Sequence, residues 1–377
     1  MEQVGIYIHI PFCRARCSYC DFATGAYQAS QAERYVRALT TEIGRPAPSD
    51  MRAVDTIYFG GGTPSLLSPA QLESILRAVH ERFSVAADAE VTMEMNPGTV
   101  TPESLSAFRA AGVNRASFGL QTFDDEQLRR LGRTHTADEA RRTFAALRAA
   151  GFNNISFDLI AGLPGQTIEQ WAHNMDEALA LQPEHLSLYL LEVHEGTPLA
   201  EQITRGVWPQ PDADTAAEMY RLLLARTKAA GYEHYEISNF CRPGRESRHN
   251  LKYWTGAPYY GFGCAAHSYD GARLRWANER DTARYVELIE AGASAVVEKV
   301  ELDERDVSAE ALFLGLRLMR GVDLRAHRTR FGTDVRAAHA ADLARFSEGG
   351  LIQLDEDRLR LTPAGVLLSN EVFAAVV

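Results

Sequence analysis

The chain has 377 residues, of which 46% are apolar and 24% charged, and its formal net charge is -11 at pH 7. This length and apolar content are enough for a large hydrophobic core and favour two domains over one. The acidic balance argues against a nucleic-acid-binding protein, because phosphate recognition needs a basic surface and none of the Arg-bearing stretches is free of acidic residues.

Predicted strands alternate with predicted helices through the first part of the chain. The strands are short β-rich runs at 5–10, 54–59, 90–95, 114–120, 153–160 and 185–192. The helices, indicated by their apolar spacing, are 32–43, 69–83, 102–111, 137–150 and 168–181. Such alternation requires parallel strands joined by helical crossovers, so we predict an α/β barrel or partial barrel within a domain at 1–231.

The pattern changes after residue 231. Residues 232–300 predict a loop-rich connector that includes the aromatic stretch HNLKYW, at 249–254, and closes over the barrel mouth. From residue 301 the predicted order is helices at 308–319 and 335–348, a hairpin at 351–362 and a last helix at 363–373. Helices followed by a hairpin favour a small winged-helix-like α+β domain at 301–377, and its acidic turn argues against DNA as the ligand.

Three of the five cysteines, Cys13, Cys17 and Cys20, lie within eight residues directly after the first predicted strand. A cubane iron-sulfur cluster normally takes four cysteines, so three thiolates at the spacing C-x3-C-x2-C leave one iron open to a reactive ligand. A structural zinc knuckle is the alternative, but zinc needs a fourth ligand and the nearest histidine, His9, lies inside the strand. The spacing therefore favours an iron-sulfur cluster.

The two remaining cysteines, Cys241 and Cys264, stand alone in the sequence. Isolated thiols of this kind favour a reducing cytoplasm, and their roles are open. The sequence shows neither an apolar run of membrane-spanning length nor a basic region followed by an apolar leader segment. We expect a soluble cytoplasmic protein without a transmembrane segment.

Polar residues and glycines fall at the ends of the predicted strands, where functional side chains collect in a parallel barrel. The turn GGGTP, at 60–64, closes the second strand and lets a ligand approach its backbone with the N–H groups pointing outward. Glu94, Gln121 and Asp158 end the next three strands. Arg133 would suit a bidentate pair with a carboxylate, although a cation at the end of a helix is the alternative.

The C-x3-C-x2-C loop at the start of a series of βα units resembles that of the radical S-adenosylmethionine superfamily. The contexts YIHIPFC and YFGGGTPS resemble the oxygen-independent coproporphyrinogen III dehydrogenase branch and, within it, the HemW-type haem chaperones. This resemblance implies a partial (β/α)6 barrel over about 5–231. It also implies a 4Fe-4S cluster on Cys13, Cys17 and Cys20, with S-adenosylmethionine chelating the fourth iron through its amino and carboxylate groups.

The resemblance also implies a set of cofactor-contacting residues that belong to the cluster loop and the strand ends. They are Tyr7, Tyr19, Gly61, Gly62, Thr63, Glu94, Gln121, Arg133, Asp158 and Glu192. HNLKYW matches the HN-x-x-YW element that the family links to haem. His249 would then be an axial haem ligand beside Tyr253 and Trp254, whereas a lone histidine in an aromatic loop is ordinarily just hydrogen-bonded.

The function that the resemblance favours is a haem chaperone that passes haem to acceptor apoproteins. Respiratory enzymes at the membrane are one group of such acceptors, and peripheral association with the membrane is then expected. The enzyme alternative is an oxygen-independent coproporphyrinogen III dehydrogenase. Two departures from that family disfavour it. Phe22 stands at the position where those enzymes are expected to have a fourth cysteine. Cys13 lies only twelve residues from Met1, which is too short for their N-terminal arm. A zinc-structured interaction protein is a third alternative, and a dimer is one option for the open oligomeric state.

Overall fold

The computed structural model describes residues 3–45 and 52–376, so the predicted domain limits at 1 and 377 lie outside the described residues. The strands, in chain order, are β1 (Val4–Ile10), β2 (Phe12–Cys13), β3 (Gly25–Ala26), β4 (Val54–Gly61), β5 (Val85–Met95), β6 (Arg115–Gln121), β7 (Ile155–Ala161), β8 (His185–Leu190), β9 (Glu233–Glu236), β10 (Asn239–Cys241), β11 (Tyr259–Phe262), β12 (His267–Tyr269), β13 (Leu274–Asn278), β14 (Val296–Glu301), β15 (Val322–Asp323), β16 (Ile352–Leu354) and β17 (Arg358–Leu361).

Helices connect and cover these strands. They are α1 (Ala29–Ile43), α2 (Pro69–Arg82), α3 (Pro102–Ala110), α4 (Asp125–Arg130), α5 (Ala137–Ala149), α6 (Ile168–Ala180), α7 (Pro198–Thr204), α8 (Ala213–Ala229), α9 (Arg248–Thr255), α10 (Thr282–Glu290), α11 (Glu304–Leu316), α12 (Leu324–Phe331), α13 (Val335–Ala338), α14 (Ala340–Glu348), α15 (Pro363–Leu367) and α16 (Ser369–Ala374). Within the described ranges, no helix is both long and apolar enough to cross a membrane.

The central sheet has twelve strands in the order β14-β13-β12-β11-β1-β4-β5-β6-β7-β8-β10-β9. Its six middle strands, β1 and β4 to β8, pair in parallel and are joined by helical crossovers. This arrangement is the predicted partial (β/α)6 barrel, and the predicted α/β fold class is confirmed. All carboxyl ends of the six strands therefore meet at one edge, which we call the barrel mouth.

Alternate residues of each barrel strand face opposite sides of the sheet. One side packs under the helices and is apolar, with Ile6, Ile8 and Phe59 fully buried. The register places Tyr7 beside Tyr58 on the opposite side, which faces the interior. This interior side carries a polar residue at many alternate positions.

The crossover helices begin at well-defined caps. A capping box opens each of α2, α3, α5 and α6, with Ser68, Thr101, Thr136 and Thr167 as the capping residues. Each capping side-chain oxygen accepts a hydrogen bond from a backbone N–H that has no partner within the helix. The side chain three positions later accepts a hydrogen bond from the backbone N–H of the capping residue. These boxes fix where each strand-end loop stops and its helix starts.

The connector contains more regular structure than predicted. Strands β10 and β9 extend one edge of the barrel sheet, and β11 to β14 extend the other. HNLKYW forms most of α9, which begins at the Ser247 cap and ends at Gly256 in the left-handed conformation. Its His249 amide donates to Glu90 near the start of the interior-facing part of β5. The predicted position of HNLKYW near the barrel mouth is wrong, because α9 lies at the opposite end of the strands.

The C-terminal segment forms the predicted winged-helix-like unit. Its sheet has the order β15-β17-β16, and helices α11 to α16 surround it. Leu359 is fully buried on the central strand, and Phe313 of α11 packs against Phe373 of α16. This unit contacts the connector, since Arg317 stacks over the Trp254 ring at 4.3 Å.

Candidate functional site

The cysteine loop follows β1 at the barrel mouth. Cys13 ends β2, and Cys17 and Cys20 lie in the turn that follows. The Ser18 amide donates to the Leu131 oxygen at 2.9 Å, which ties the loop to the end of α4. All three cysteines are half-buried and none forms a disulfide. The loop therefore presents three thiols from a short segment that is anchored on both sides.

The thiols of the cysteine loop influence one another's ionisation. Burial raises the pKa of Cys13, and the Cys17 and Cys20 thiols raise it further. Burial also raises the pKa of Cys20. Three neighbouring thiolates repel one another, so a positively charged metal cluster would stabilise them. No group of three or more His, Cys, Asp or Glu side chains in residues 3–45 and 52–376 is already arranged to hold a metal ion.

The glycines of the GGGTP turn are required by close contacts. Gly61 has a φ of 109°, and a Cβ added there would lie 2.6 Å from the His9 ring. A Cβ added at Gly62 would lie 2.7 Å from the Phe12 oxygen. Both distances are shorter than any normal carbon contact, so side chains at these positions would displace the turn from the cysteine loop.

The amide groups of this turn do not point outward as the sequence suggested. The Gly61 N–H donates to Glu94 Oε2 at 3.1 Å. The N–H groups of Gly62 and Thr63 donate to backbone oxygens of β1 and the cysteine loop, each at 2.8 Å. These donors are therefore used inside the protein, and the turn holds the cysteine loop against the barrel instead of offering N–H groups to an anion.

Two carboxylates face the barrel interior near the mouth. Glu94 accepts from Tyr58 Oη at 2.8 Å as well as from Gly61. Burial, with a smaller contribution from the Asp158 charge, raises the pKa of Glu94 to about 7. Burial raises the pKa of Asp158 to about 6, against the opposing effect of Ser187 and of the Arg115 cation. Two partly desolvated carboxylates suit a cationic group such as an ammonium.

Arg133 connects the cysteine loop to the strand ends. Its guanidinium donates to Cys17 Sγ at 3.4 Å, to Asn96 Oδ1 at 2.5 Å and to the Gly119 oxygen at 2.5 Å. Asn96 also donates to the Thr63 hydroxyl at 2.9 Å. The sequence analysis predicted Arg133 in this site but missed Asn96, which orients both Arg133 and Thr63.

The structure also brings Tyr7, Tyr19 and Gln121 to this region. The Tyr7 hydroxyl is 3.0 Å from His9 Nδ1, and its ring stacks on Tyr58 at 6.2 Å. Tyr19 packs against the apolar group of Leu131, Ile160 and Leu163. Gln121 ends β6 with a φ of 73°, a strained conformation for a residue other than glycine.

Glu192 does not join this group in the structure. It lies beyond the end of β8, with 78% of its side chain exposed, and its Oε2 is 3.8 Å from His194 Nε2. The predicted position therefore differs from those of Glu94 and Asp158, whose carboxylates are held inside the barrel.

His249 lies on α9 at the end of the barrel opposite the cysteines. Its Nδ1 is 2.8 Å from Thr56 Oγ1, and its Nε2 is 2.9 Å from the Tyr253 hydroxyl. Its ring stacks on Tyr58, with 5.2 Å between centroids. Burial lowers the pKa of His249 to about 3, and the Lys252 cation adds to this effect. Both ring nitrogens are thus engaged, and neither is free to bind iron in this arrangement.

The sequence analysis did not identify several interior residues. It treated each strand as a β-rich run and did not separate the two sides that its residues face. These residues are Tyr58, Asn96 and Ser117. By alternation along the strands, they face the same side of the sheet as Glu94 and its cross-strand neighbours. A period of two in the polar residues of adjacent strands was the available signal. It would have identified the interior side and placed these residues with the predicted site.

Comparison with known proteins identifies the family. The family model of the radical SAM superfamily matches residues 7–178, and that of the HemN C-terminal domain matches residues 302–368. The protein named "Heme chaperone HemW" from Bacillus subtilis is 38% identical and is covered over 98% of both chains. Its namesake from Mycobacterium tuberculosis strain H37Rv is also 38% identical, over 98% of this chain and 94% of its own. The chain belongs to the HemW family.

The relatives of this HemW-family chain extend beyond bacteria. "Radical S-adenosyl methionine domain-containing protein 1, mitochondrial" from Bos taurus is 34% identical over 100% of this chain and 88% of its own. Among solved structures, Escherichia coli coproporphyrinogen III oxidase (HemN), described as a radical SAM enzyme, superposes with a TM-score of 0.87. It is 25% identical, and the match covers 100% of this chain and 90% of the enzyme. One fold thus serves both an oxidase and proteins named chaperones, so the fold alone does not decide the activity of a HemW-family member.

Proposed function

We propose that the protein is a haem chaperone that binds haem and passes it to acceptor apoproteins in the cytoplasm, including respiratory enzymes at the membrane. It carries a 4Fe-4S cluster and S-adenosylmethionine. The observation that carries this proposal is the 38% identity, over 98% of both chains, to a protein named "Heme chaperone HemW". Identity of this extent spans the barrel, the connector and the C-terminal unit together.

Cys13, Cys17 and Cys20 hold the cluster in this proposal. They are three accessible thiols in one anchored loop, they are not oxidised to disulfides, and their mutual repulsion would be relieved by iron. Phe22, which follows the third cysteine, is 60% exposed and offers no ligand. Three thiolates leave one iron of the cluster without a cysteine, which is the position that S-adenosylmethionine takes.

In this proposal, different residues at the barrel mouth contact the amino group and the carboxylate of S-adenosylmethionine. Glu94 and Asp158 would attract the amino group, because both carboxylates are buried and charges attract more strongly there than in water. Arg133 donates to Cys17 and would attract the cofactor carboxylate. The tightly packed Gly61–Gly62 turn keeps Glu94 in position. When bound, the cluster and cofactor supply one-electron chemistry, and the chain orients them.

Haem ligation by His249 is not part of the proposal, because both nitrogens of this histidine are hydrogen-bonded inside the barrel. The cofactor role of Glu192 is likewise left out, since its side chain is exposed beyond β8. Replacing Glu192 with alanine tests the second exclusion directly, and this variant is expected to keep the parent's affinity for S-adenosylmethionine.

A second candidate is an oxygen-independent coproporphyrinogen III dehydrogenase. The TM-score of 0.87 to the Escherichia coli oxidase favours it, because the complete fold is shared. The identity to that enzyme, 25%, is lower than the 38% to the HemW protein, and Phe22 replaces the cysteine expected of such enzymes. We therefore place this activity second.

One experiment separates the two functions. The protein is purified and reconstituted without oxygen, its iron is counted, and it is titrated with haem in the presence of S-adenosylmethionine. About four irons and one haem per chain are expected, followed by haem transfer to an apo-cytochrome faster than from free haem. The same sample is given coproporphyrinogen III and a reductant. Absence of haem uptake, or decarboxylation at about 1 per second or faster, would refute the chaperone function.

A further inference from the structure

Arg115 is a buried cation in the interior of the barrel. It is the first residue of β6, and only 1% of its surface is exposed. Its Nε has no hydrogen-bond partner, and within residues 3–45 and 52–376 no carboxylate forms an ion pair with it. Arginine keeps its charge in proteins, and a buried charge without a partner is costly. Arg115 therefore needs a compensating negative charge within the barrel.

The register of the sheet places Arg115 on the same side as Glu94 and Asp158. Ser117, two residues after Arg115 on β6, pairs with Glu94 of β5. Gly119, two residues further along β6, pairs with Asp158 of β7. Two residues of a strand span about 7 Å. The long side chain of Arg115 thus starts beneath both carboxylates, on the side of the sheet that they face.

The Arg115 cation acts on both carboxylates. Burial is the main reason why the pKa of Glu94 is raised to about 7 and that of Asp158 to about 6. The positive charge of Arg115 opposes the effect of burial on both pKa values. Arg133 also opposes it at Asp158, but its guanidinium lies at the mouth and is bonded to Cys17. Arg115 is thus the cation that faces both carboxylates from the interior.

The phenols, histidines and thiol around these three side chains are neutral at pH 7, because burial raises the pKa of the phenols and the thiol and lowers that of the histidines. Those that face the carboxylates are Tyr7 of β1, Tyr58 of β4, Tyr189 of β8 and Tyr253 of α9, and those that face Arg115 are His185 of β8, Tyr235 of β9, Cys241 of β10 and His249 of α9. Glu90, lower on β5, accepts from the backbone amides of Arg248 and His249. None of the neutral groups can replace the charge of Arg115.

The charge of Arg115 has a consequence for ligand binding. Two neighbouring buried carboxylates ordinarily share one proton, because their negative charges repel each other. A cation beneath them lets both ionise at a lower pH. The pair and Arg115 then carry one net negative charge, which an ammonium group entering from the mouth would neutralise.

We propose that Arg115 is a positioning residue of the cofactor site, whose buried guanidinium allows the Glu94 and Asp158 carboxylates to be ionised together near neutral pH and so to receive the amino group of S-adenosylmethionine. The inference rests on the proposed function, because the identity of the ligand comes from that proposal. Arg115 itself acts through the two carboxylates and does not contact the cofactor.

The first test is an infrared titration of the full-length protein, which follows the C=O absorption of the protonated carboxyls as the pH rises. Loss of a band in Glu94→Gln or in Asp158→Asn assigns that band. In Arg115→Met, the midpoints of both carboxyls are expected to rise by about one pH unit or more, a tenfold change in proton affinity. The control is Thr92→Val, which alters the residue paired with Arg115 without altering a charge, and it should keep the parent midpoints. Unchanged midpoints in Arg115→Met would overturn the inference.

A triple variant decides the case in which Arg115→Met does not fold. Arg115→Met combined with Glu94→Gln and Asp158→Asn has none of the three buried charges, so it is expected to fold and to unfold cooperatively in urea. A triple variant that also fails to fold would show that Arg115 supports the barrel independently of the carboxylates. That result would likewise overturn the inference.

The second test measures S-adenosylmethionine binding by calorimetry in the reconstituted parent and in Arg115→Met, at pH 6.5 and pH 8. A rise in the Glu94 pKa from about 7 to about 8 lowers its ionised fraction about eightfold at pH 6.5 and about twofold at pH 8. The loss of affinity should therefore be about four times greater at the lower pH. An equal loss at both pH values is the result of a purely structural role and contradicts the inference. A parent protein that binds no S-adenosylmethionine refutes the cofactor role in the proposed function instead, and the infrared titration still decides the effect of Arg115 on the carboxylates.

Discussion

Replacing Glu94 with glutamine is expected to stabilise the cofactor-free protein and to weaken its binding of S-adenosylmethionine. The reason is that burial raises the pKa of Glu94 from its ordinary value of 4.5 to about 7. Glutamine has the same shape, and its amide can accept from the Gly61 N–H while donating to the Tyr58 oxygen. The substitution therefore removes the charge and keeps both hydrogen bonds.

The magnitude follows from the difference in pKa. Because the folded-state pKa lies above the unfolded value, ionised Glu94 destabilises the folded protein, and this cost grows as pH rises from 4.5 to 7. A difference of about 2.5 pKa units corresponds to roughly 3 kcal/mol above pH 7, as an upper value. Below pH 4.5 the carboxyl is protonated in both states, so the two proteins should unfold with nearly equal free energies.

The assay is urea unfolding of the cofactor-free parent, Glu94→Gln and the surface control Glu298→Gln at pH 5 and pH 8. Glu298 is exposed on β14. From pH 5 to pH 8, the unfolding free energy of Glu94→Gln should increase relative to that of the parent. The unfolding free energy of Glu298→Gln relative to the parent should stay the same. Calorimetry at pH 8 should then show weaker cofactor binding, because the ammonium has lost its carboxylate. Equal pH dependence of the two variants would contradict the assignment of Glu94 as a desolvated carboxylate.

Three further predictions concern the barrel mouth. Cys17→Ser should prevent reconstitution of a four-iron cluster, measured by iron content and visible absorption; full cluster absorption would refute its role as a ligand. Gly62→Ala should lower the unfolding free energy by about 2 kcal/mol or more, because its Cβ would lie 2.7 Å from a backbone oxygen. Gly25→Ala, which meets nothing within 4 Å, is the control, and equal urea midpoints would contradict the clash. Arg133→Ala should lose cofactor affinity by calorimetry while Glu192→Ala keeps it; the reverse order would show that the exposed carboxylate is the contact.

The sequence predicted the barrel because βα alternation is a local pattern with one economical solution. The apolar outward faces, the glycine turn and the cysteine spacing can each be recognised within a short stretch of sequence. Glu94 and Asp158 were found because they end strands, and parallel topology brings strand ends together. These predictions needed no knowledge of distant contacts.

The location of HNLKYW could not be predicted in the same way. A six-residue aromatic stretch is compatible with a loop or a short helix, and only the Ser247 cap and Gly256 mark its ends. Its position depends on β11 adding to β1 and on Lys252 pairing with Asp55 at 2.7 Å. The first contact joins segments about 250 residues apart in the chain, and the second joins residues about 200 apart.

The two ends of the barrel are joined by a row of direct contacts, and this row predicts coupling between them. Tyr253 of α9 bonds to His249, whose ring stacks on Tyr58, and Tyr58 donates to Glu94 at the mouth. Haem that shifts Tyr253 on binding therefore changes the packing beneath Glu94. S-adenosylmethionine that binds the Glu94 carboxylate changes the hydrogen bond between Glu94 and Tyr58. Because coupling between two binding sites is reciprocal, S-adenosylmethionine should alter haem affinity by the same factor as haem alters cofactor affinity. Tyr58→Phe keeps the ring stack but removes the bond to Glu94, so this variant should bind both ligands with the coupling reduced. Equal coupling in the parent and in Tyr58→Phe would show that the bond between Tyr58 and Glu94 carries none of it.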